Sequence, residues 1–588
     1  MKFSTNTYYF DVVVVGAGGA GLMATLHAAK NNMSVACITK VDPTRSHTVA
    51  AKGGINAALS NVTEDDWRWH WYDTVRGGDW MGDQDAIEFM CKNAADAILD
   101  LERIGVPFTR GDNGKIFQRI YGGQSSEFGK GAPPHRACAV ADRTGHAILH
   151  TLYQQSLRYN ARFFTDNFAI DLIMENGICY GVISWDMQNG VINIFRAHKV
   201  ILATGGYGQA YKTNTSSSIC TGDGNAMALR AGIGLQDMEF VQFHPTGLYG
   251  SGFLITEAAR SEGAYLINSK GERFMERYAP SYKDLAARDV IARAMAKEVF
   301  EGRGCGIKKD HILLCLSHLP EDIIKKNLPA VYENAKTFAK IDPTREPIPV
   351  VPSVHYTMGG IPTNKYSEVL DENDNIIKGL MAIGETACMS IHGANRLGCN
   401  SLLDIIVFGK VSAQKAASDI KPSSPHKKID NITNFVTEKI SDLQNRQGKE
   451  SIYNITSQMK NIMSEHAGVF RSGEILQQGL DKISALVETI KEISISDKSL
   501  IWNNELLEYF ELENLLQQSY ATLKTAAIRK ESRGSHMRQD FTERDDKNWL
   551  THSLIKMNNN NFIYSTRKIR TNTDDTALPT MSPEKREY

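Results

Sequence analysis

A strand that runs into three spaced glycines and out into a helix constrains this chain more than any other stretch. Residues 10–45, FDVVVVGAGGAGLMATLHAAKNNMSVACITKVDPTR, read as strand, glycine turn, helix and second strand in one unit of about thirty residues. Val12 to Val15 are the β-branched run of a strand buried on both faces, and Gly16, Gly18 and Gly21 satisfy GxGxxG where that strand ends. Gly16 permits the tight turn, Gly18 lets backbone N–H groups approach a pyrophosphate, and Gly21 lets helix and strand pack closely, with the helix N-terminus facing the anion. Residues 20–30 suit a helix, Asn31 and Asn32 punctuate it, and residues 34–39 form the next strand. That second strand ends in Thr39 and Lys40 where an Asp or Glu would hold the ribose of NAD, so NAD is not the first choice of dinucleotide.

At 588 residues and 42% hydrophobic content, the chain has room for about three or four domains with sizeable cores. Its 66 basic and 67 acidic residues leave no global field, which argues against nucleic acid as a partner and requires any anion site to be built locally. The nine cysteines include no CxxC pair, which suits a reducing compartment and places no metal site or cluster in this chain. The most apolar region, residues 12–29, is broken by glycines and His27, so no membrane span is expected. The first strand starts within about ten residues of Met1, leaving no room for a signal or transit peptide. A cytoplasmic bacterial location is the expectation unless a presequence has been removed.

Further along, residues 42–61 and 122–144 are polar, glycine-rich loops, whereas residues 85–104 and 147–159 have helical spacing. Alternating strands continue to Lys199, and residues 200–206, VILATGG, form another strand entering a glycine turn. From residue 242 to 349 the texture changes, with HPTG, LITEAARSEGA and KDLAARDVIARAMAKEVFEG ahead of a proline-rich exit, as expected of an inserted domain. After a linker at residues 418–430, Leu476, Leu480, Ile483, Val487 and Ile490 step by four and three, the spacing of a bundle core.

Several polar residues stand in glycine or proline contexts that suit no core: His47, His244, His355, Arg288 and Arg396, with His392 a lesser candidate. Each alone is ordinary. Together, on a dinucleotide fold, they suit a small carboxylate substrate, since Arg pairs bidentately with carboxylates and His can donate as well. At an effective dielectric of ~20, each close cation is worth about 4 kcal/mol of attraction before desolvation. A dicarboxylate needs more than one.

GAGGAG, PTRSHTVAA, ADRTGHAILHTLY, ATGGYGQAY, CTGDGNAMALRAG, FVQFHPTGL, LITEAARSEG, RDVIAR, HYTMGGIPTN, HGANRLG with NSLLDIIVFG, and ESRGSHMRQDFTERDD with NWLTH occur in that order. Along essentially its whole length the chain resembles the succinate dehydrogenase/fumarate reductase flavoprotein family. The resemblance implies an α/β fold: a Rossmann-like FAD-binding domain in two segments (1–246 and 350–417), an inserted α+β capping domain (247–349), a C-terminal helical domain (431–534) and an extended but packed tail (535–588). It implies FAD on Gly16, Ala17, Gly18, Gly19, Ala20 and Gly21, with Thr39, Lys40, Thr48, Gly53, Gly54, Asp223, Glu385, Ser401 and Leu402 as further contacts. His47 of RSHT matches the residue bonded covalently to the flavin.

The same resemblance assigns succinate or fumarate to His244, Thr256, His355 and Arg396, and proton transfer to Arg288, with Glu257 and Arg260 as its relay. It implies oxidation of succinate in the tricarboxylic acid cycle. Electrons leave through an iron-sulfur subunit to quinone, membrane anchor subunits hold the complex indirectly, and an assembly factor serves flavinylation. The location implied is the cytoplasmic face of the bacterial inner membrane, or the matrix side if a presequence has been removed. Alternatives are a fumarate reductase running the reverse reaction, an L-aspartate oxidase, and an inert FAD-stabilised scaffold. Two residues depart from the family pattern: Lys52, where Gln or Glu is usual, and Cys399, where Gly is common. Lys52 near the flavin is expected to stabilise its reduced, anionic form.

Overall fold

A computed structural model describes residues 3–429, 432–558 and 561–586. The expected linker end at Asp430 and the expected start of the helical domain at residue 431 lie outside the described residues.

The glycine unit forms as β1 (Thr5–Val15), α1 (Gly19–Lys30) and β2 (Val35–Ile38), with Val12 to Val15 paired in parallel to Val35 to Ile38. On the other side of β1 lies β3 (Val191–Leu202), also parallel and in register from Val15 with Leu202. Ile376–Ala382 continues the parallel sheet beyond β3, and Arg162–Phe164 continues it beyond β2. Gly16 adopts φ +106°, and a Cβ there would come within 2.3 Å of the Ala203 carbonyl, so only glycine lets the two strand ends meet.

The capping region is built on four antiparallel strands. The outer one is β4 (Val241–Leu248); helix α2 (Arg288–Phe300) follows in sequence, and β5 (Ile348–Thr357) returns to pair with β4, His244 standing opposite Ser353. Ile312–Cys315 and Tyr265–Ile267 complete the sheet. β4 and β5 run without a break through positions 247 and 349, the expected bounds of the insert.

Helix α3 (Asn400–Asp419) returns to pack on α1, where a Cβ on Gly409 would come within 2.8 Å of the Met23 side chain. In the C-terminal region, α4 (Gly473–Thr489) buries Leu476, Leu480, Ile483 and Leu486 against α5 (Asn504–Ile528). Val487, expected in that stripe, is only partly buried. Near the C-terminus a hairpin, β6 (Thr551–Asn558) and β7 (Asn561–Lys568), pairs with Leu235–Gln236, and the chain continues past it to Arg586.

Three local readings change. Residues 85–104 form two helices, Gln84–Lys92 and Ala94–Arg103, because Asn93 leaves helical geometry and its side-chain amide donates to the Phe89 carbonyl at 2.8 Å. In LITEAARSEGA only Ala258–Ser261 is helical; Ile255 is still bridged to Thr246, and the Thr256 hydroxyl accepts from the Ala258 amide. The tail, expected to be extended but packed, contains a β-hairpin, Thr551–Asn558 with Asn561–Lys568, and packed polar anchors on either side of it.

Candidate functional site

One long cavity begins at the glycine turn and ends between β4, β5 and the N-terminus of α2. At the first end, α1 starts with no cap from its own N-cap residue and no acidic residue in its first turn; the Gly19 amide donates to the Thr48 hydroxyl at 3.0 Å, and the helix dipole faces the cavity with no charge opposing it from its first turn. Gly16, Ala17, Gly18, Gly19 and Ala20 line this end with Thr39, Lys40, Thr48 and Asp223. Gly21 is not in the wall. A Cβ there would sit 1.9 Å from the Gly16 carbonyl, so Gly21 serves the packing of α1 on β1. Burial opposes the charge of Lys40, but Asp223 at 2.9 Å and Glu511 at 2.6 Å outweigh it and push the Lys40 pKa up.

The middle of the cavity is lined by His47, Lys52, Gly53, Gly54, Glu385, Cys399, Ser401 and Leu402. His47 Nδ1 accepts from the Ser217 amide at 3.2 Å, which leaves Nε2 as the protonated nitrogen, and burial lowers its pKa to about 4. Glu385 accepts from the amide and hydroxyl of Thr357 at 2.9 and 3.1 Å, yet burial still raises it to about 7. Burial lowers the Lys52 pKa, with Asp142 acting in the opposite direction. Cys399 holds a left-handed backbone, φ +65°, at the N-cap of α3, a conformation glycine adopts without strain. Burial pushes its thiol up to about 12.

The far end is a cluster of buried cations. Arg396 is 3% exposed, yet among the described residues the only hydrogen bond of its guanidinium is from Nη1 to the adjacent Leu397 carbonyl at 3.3 Å, and its buried Nε has no partner. It stacks over Tyr356 at 4.5 Å, and burial together with Arg288 lowers its pKa to about 10. His244 and His355 come from the neighbouring strands β4 and β5 with ring centroids 5.0 Å apart. His244 Nδ1 accepts from the Thr246 amide at 3.2 Å, so Nε2 carries its proton; His355 Nδ1 pairs with the Thr215 hydroxyl at 2.8 Å. Burial and then the nearby arginines hold both imidazoles neutral, well below the usual histidine range.

Arg288, the first residue of α2, donates from Nε to Glu257 Oε2 at 2.9 Å and from Nη1 to Gln242 Oε1 at 3.1 Å. Burial pushes the Glu257 carboxyl up, but Arg288 and Arg260 prevail and lower it. Arg260 lies behind the wall, 3.8 Å from Glu257, with Nη1 bonded to the Asp284 carbonyl. Its Nε and Nη2 are buried without hydrogen-bond partners, and burial lowers its pKa. Thr256 lines the cavity beside these groups.

His392 faces a separate small cavity and pairs with Asp404 at 3.4 Å, away from the cluster. Sequence reasoning missed Gln242, Tyr121 and Thr215. Gln242 lies inside the quoted FVQFHPTGL motif, but its register relative to Arg288 exists only in three dimensions. Among the described residues the Tyr121 hydroxyl, buried in the wall, has no hydrogen-bond partner.

The dinucleotide end fits FAD on its own geometry: a glycine cradle, a helix N-terminus with no acidic residue in its first turn, and buried carboxyls at Asp223 and Glu385 able to receive hydroxyl groups. Residues 11–402 match the family model "FAD binding domain", and residues 456–588 match "Fumarate reductase flavoprotein C-term". The chain is 56% identical over 588 residues to the succinate dehydrogenase flavoprotein subunit of Rickettsia conorii, covering 98% of each. It is 53% identical to the mitochondrial succinate dehydrogenase [ubiquinone] flavoprotein subunit of Oryza sativa, covering 100% of this chain and 94% of that one. A solved structure of E. coli quinol fumarate reductase superposes with a TM-score of 0.92 at 37% identity, covering 98% of this chain and 99% of that one.

Proposed function

The chain belongs to the succinate dehydrogenase/fumarate reductase flavoprotein family, and from that premise we propose that its cation cluster binds succinate and removes a proton from it. The protein is the flavoprotein subunit of a succinate dehydrogenase, an FAD-dependent oxidoreductase of complex II and the tricarboxylic acid cycle. The observation that carries the substrate assignment is Arg396, a buried guanidinium without an anionic partner. Burying a charge unpaired is costly, so the arrangement calls for a carboxylate from outside the fold.

Arg396, His244, His355 and Thr256 hold the two carboxylates, the histidines donating from the nitrogens their strand neighbours leave free. Two anchored ends fix the methylene carbons relative to Arg288. Arg288 takes the methylene proton, having passed its own to Glu257 across the 2.9 Å Nε–Oε2 contact. Glu257 hands that proton on to Arg260 only as Arg260 releases one of its own, so the relay carries one proton outward and no guanidinium holds an extra one. FAD, when bound, supplies the two-electron acceptor for the hydride from the other methylene. The chain holds FAD at the glycine turn and at Thr39, Lys40, Thr48, Gly53, Gly54, Asp223, Glu385, Ser401 and Leu402, and His47 provides Nε2 for a covalent bond to the flavin.

Electrons pass to an iron-sulfur subunit and on to quinone. Among the described residues no helix is long and apolar enough to cross a membrane. We place the protein peripherally, held through that partner and its anchor subunits at the cytoplasmic face of a bacterial inner membrane or its matrix equivalent, with an assembly factor serving flavinylation.

In the assembled complex, Arg288→Ala should lower succinate turnover by about 10²–10⁴-fold while flavin content stays constant. Turnover within twofold of wild type would remove Arg288 from the reaction. The covalent bond has its own test: flavin fluorescence that stays with the denatured wild-type chain and disappears in His47→Ser.

A further inference from the structure

The two guanidinium groups that face the cavity, on Arg288 and Arg396, lie on different parts of the fold, α2 of the cap and the loop before α3. A closed run of directional hydrogen bonds connects them. Arg288 Nη1 donates to Gln242 Oε1 at 3.1 Å, and the Gln242 amide donates to Asn395 Oδ1 at 2.8 Å and to the Arg396 carbonyl at 2.7 Å. The Asn395 amide then donates to Asp289 Oδ1 at 3.1 Å. Asp289 follows Arg288 in sequence and Asn395 precedes Arg396, so the ring closes through the backbone. Each side-chain amide in it receives one bond at its oxygen and gives at its nitrogen, which fixes its orientation.

The carboxylate that completes the ring is itself held from outside. The Asp289 side chain has no solvent exposure, and its Oδ2 receives Arg293 Nη2 at 3.0 Å and Arg586 Nη2 at 2.6 Å. Arg586 stands near the chain's end, 297 residues away in sequence. The same guanidinium reaches Asp79 Oδ2 at 3.3 Å and the Gly77 carbonyl at 3.5 Å, and that carbonyl also accepts from Asn395 at 3.3 Å. Arg293 in turn donates to the Gly534 carbonyl at 2.7 Å. Cap helix, substrate loop and tail therefore converge on one carboxylate.

Building on the succinate assignment above, we propose that Asp289 and Arg586 are positioning residues, and that the C-terminal end completes the dicarboxylate site by fixing the spacing between Arg288 and Arg396. With Arg586 and Arg293 both on Oδ2, Asp289 keeps Oδ1 on Asn395; without Arg586, Oδ2 is held only from its own helix, the carboxylate is free to rotate, and the ring opens. Bidentate recognition by two separate cations depends on their separation, so an open ring weakens dicarboxylate binding without removing any group that touches the ligand.

The experiment measures binding of malonate, a dicarboxylate that cannot be oxidised across two methylenes, to the flavin-loaded complex through the flavin difference spectrum. Arg586→Ala is expected to weaken malonate about tenfold, and Arg586→Lys, which keeps the charge but loses the fork, to weaken it less. In an Arg396→Gln background the Arg586→Ala change should cost nothing further, because the spacing no longer has a second cation to serve. Malonate affinity within twofold of wild type in Arg586→Ala, or losses that multiply in the double variant, would overturn the proposal. Should Arg586→Ala fail to accumulate, the same ratio measured with Arg586→Lys decides. If Arg396→Gln alone leaves malonate binding intact, it is the substrate assignment that fails.

Discussion

Two groups of buried arginines in this molecule differ in one respect. Near the start of the tail, Arg529 donates to Glu239, Glu531 and the carbonyls of Trp549 and Thr551, while Arg533 binds both oxygens of Glu531 together with Asp546 and the Asp79 carbonyl. Arg538 is held at both Asp540 oxygens and at the Ala526 and Arg529 carbonyls. At the cavity end, Arg396 has one long bond to a neighbouring carbonyl, and Arg260 leaves two nitrogens unpartnered. Burial is similar in the two groups; saturation is not. A guanidinium whose donors are all taken holds the fold together, whereas Arg396, kept dry, short of acceptors and lining the cavity, is held for a ligand.

The comparison breaks most visibly if a saturated arginine is removed. Arg529→Ala leaves Glu239 buried with only the Ser553 hydroxyl, while Glu531 keeps Arg533, and loss of one partner of a buried ion pair costs about 3–5 kcal/mol of stability. Chemical denaturation of the variant should show that loss, while the complex that still folds keeps its dicarboxylate affinity. A changed affinity at unchanged stability would merge the two groups.

Proton linkage sharpens the other side. Burial and the surrounding arginines hold free His244 and His355 neutral, below the usual histidine range. Two bound carboxylates favour the charged imidazolium and raise those values, so binding takes up protons. Affinity is then insensitive to pH below the depressed free-state values and falls as pH rises between the free-state and bound-state values, by up to about tenfold per unit for each imidazole that titrates. Malonate titrations across neutral pH, and proton uptake measured in weakly buffered solution, check the sign. Affinity that rises with pH through neutrality would mean that the imidazoles do not face the anion.

The smallest effect concerns Cys399. Relief of its left-handed backbone in Cys399→Gly should return about 1 kcal/mol of stability, reduced by the loss of a buried thiol. A large destabilisation would show that the side chain's packing against its neighbours outweighs the strain.

The glycine turn was legible because its logic is local: strand, turn and helix lie within residues 10–45, and Gly16 and Gly21 carry the close contacts their spacing implies. The far end was legible only as a list of residue types. His244 and His355 lie 111 positions apart in sequence and meet because β4 and β5 pair antiparallel, a register that periodicity does not encode. The tail was least legible. Read by composition, RQDFTERDD is a solvated surface, and Asp540 to Glu543 do lie at the exterior, but Arg538 is buried against helix-end carbonyls and Asp540. In β6, residues 552–555 are all buried, so the hairpin lacks the alternation by which a half-buried strand is recognised. Asn93, which divides one expected helix into two, acts through a hydrogen bond to its own preceding turn.

The most direct test of the central claim is the dissociation constant of malonate for the flavin-loaded complex carrying Arg396→Gln. A charge-assisted hydrogen bond is worth about 1.5–3 kcal/mol, so affinity should fall by roughly 10–150-fold with the unfolding midpoint no lower than wild type. Wild-type affinity in that variant would contradict the account, because the unpartnered guanidinium would then have no anion to receive.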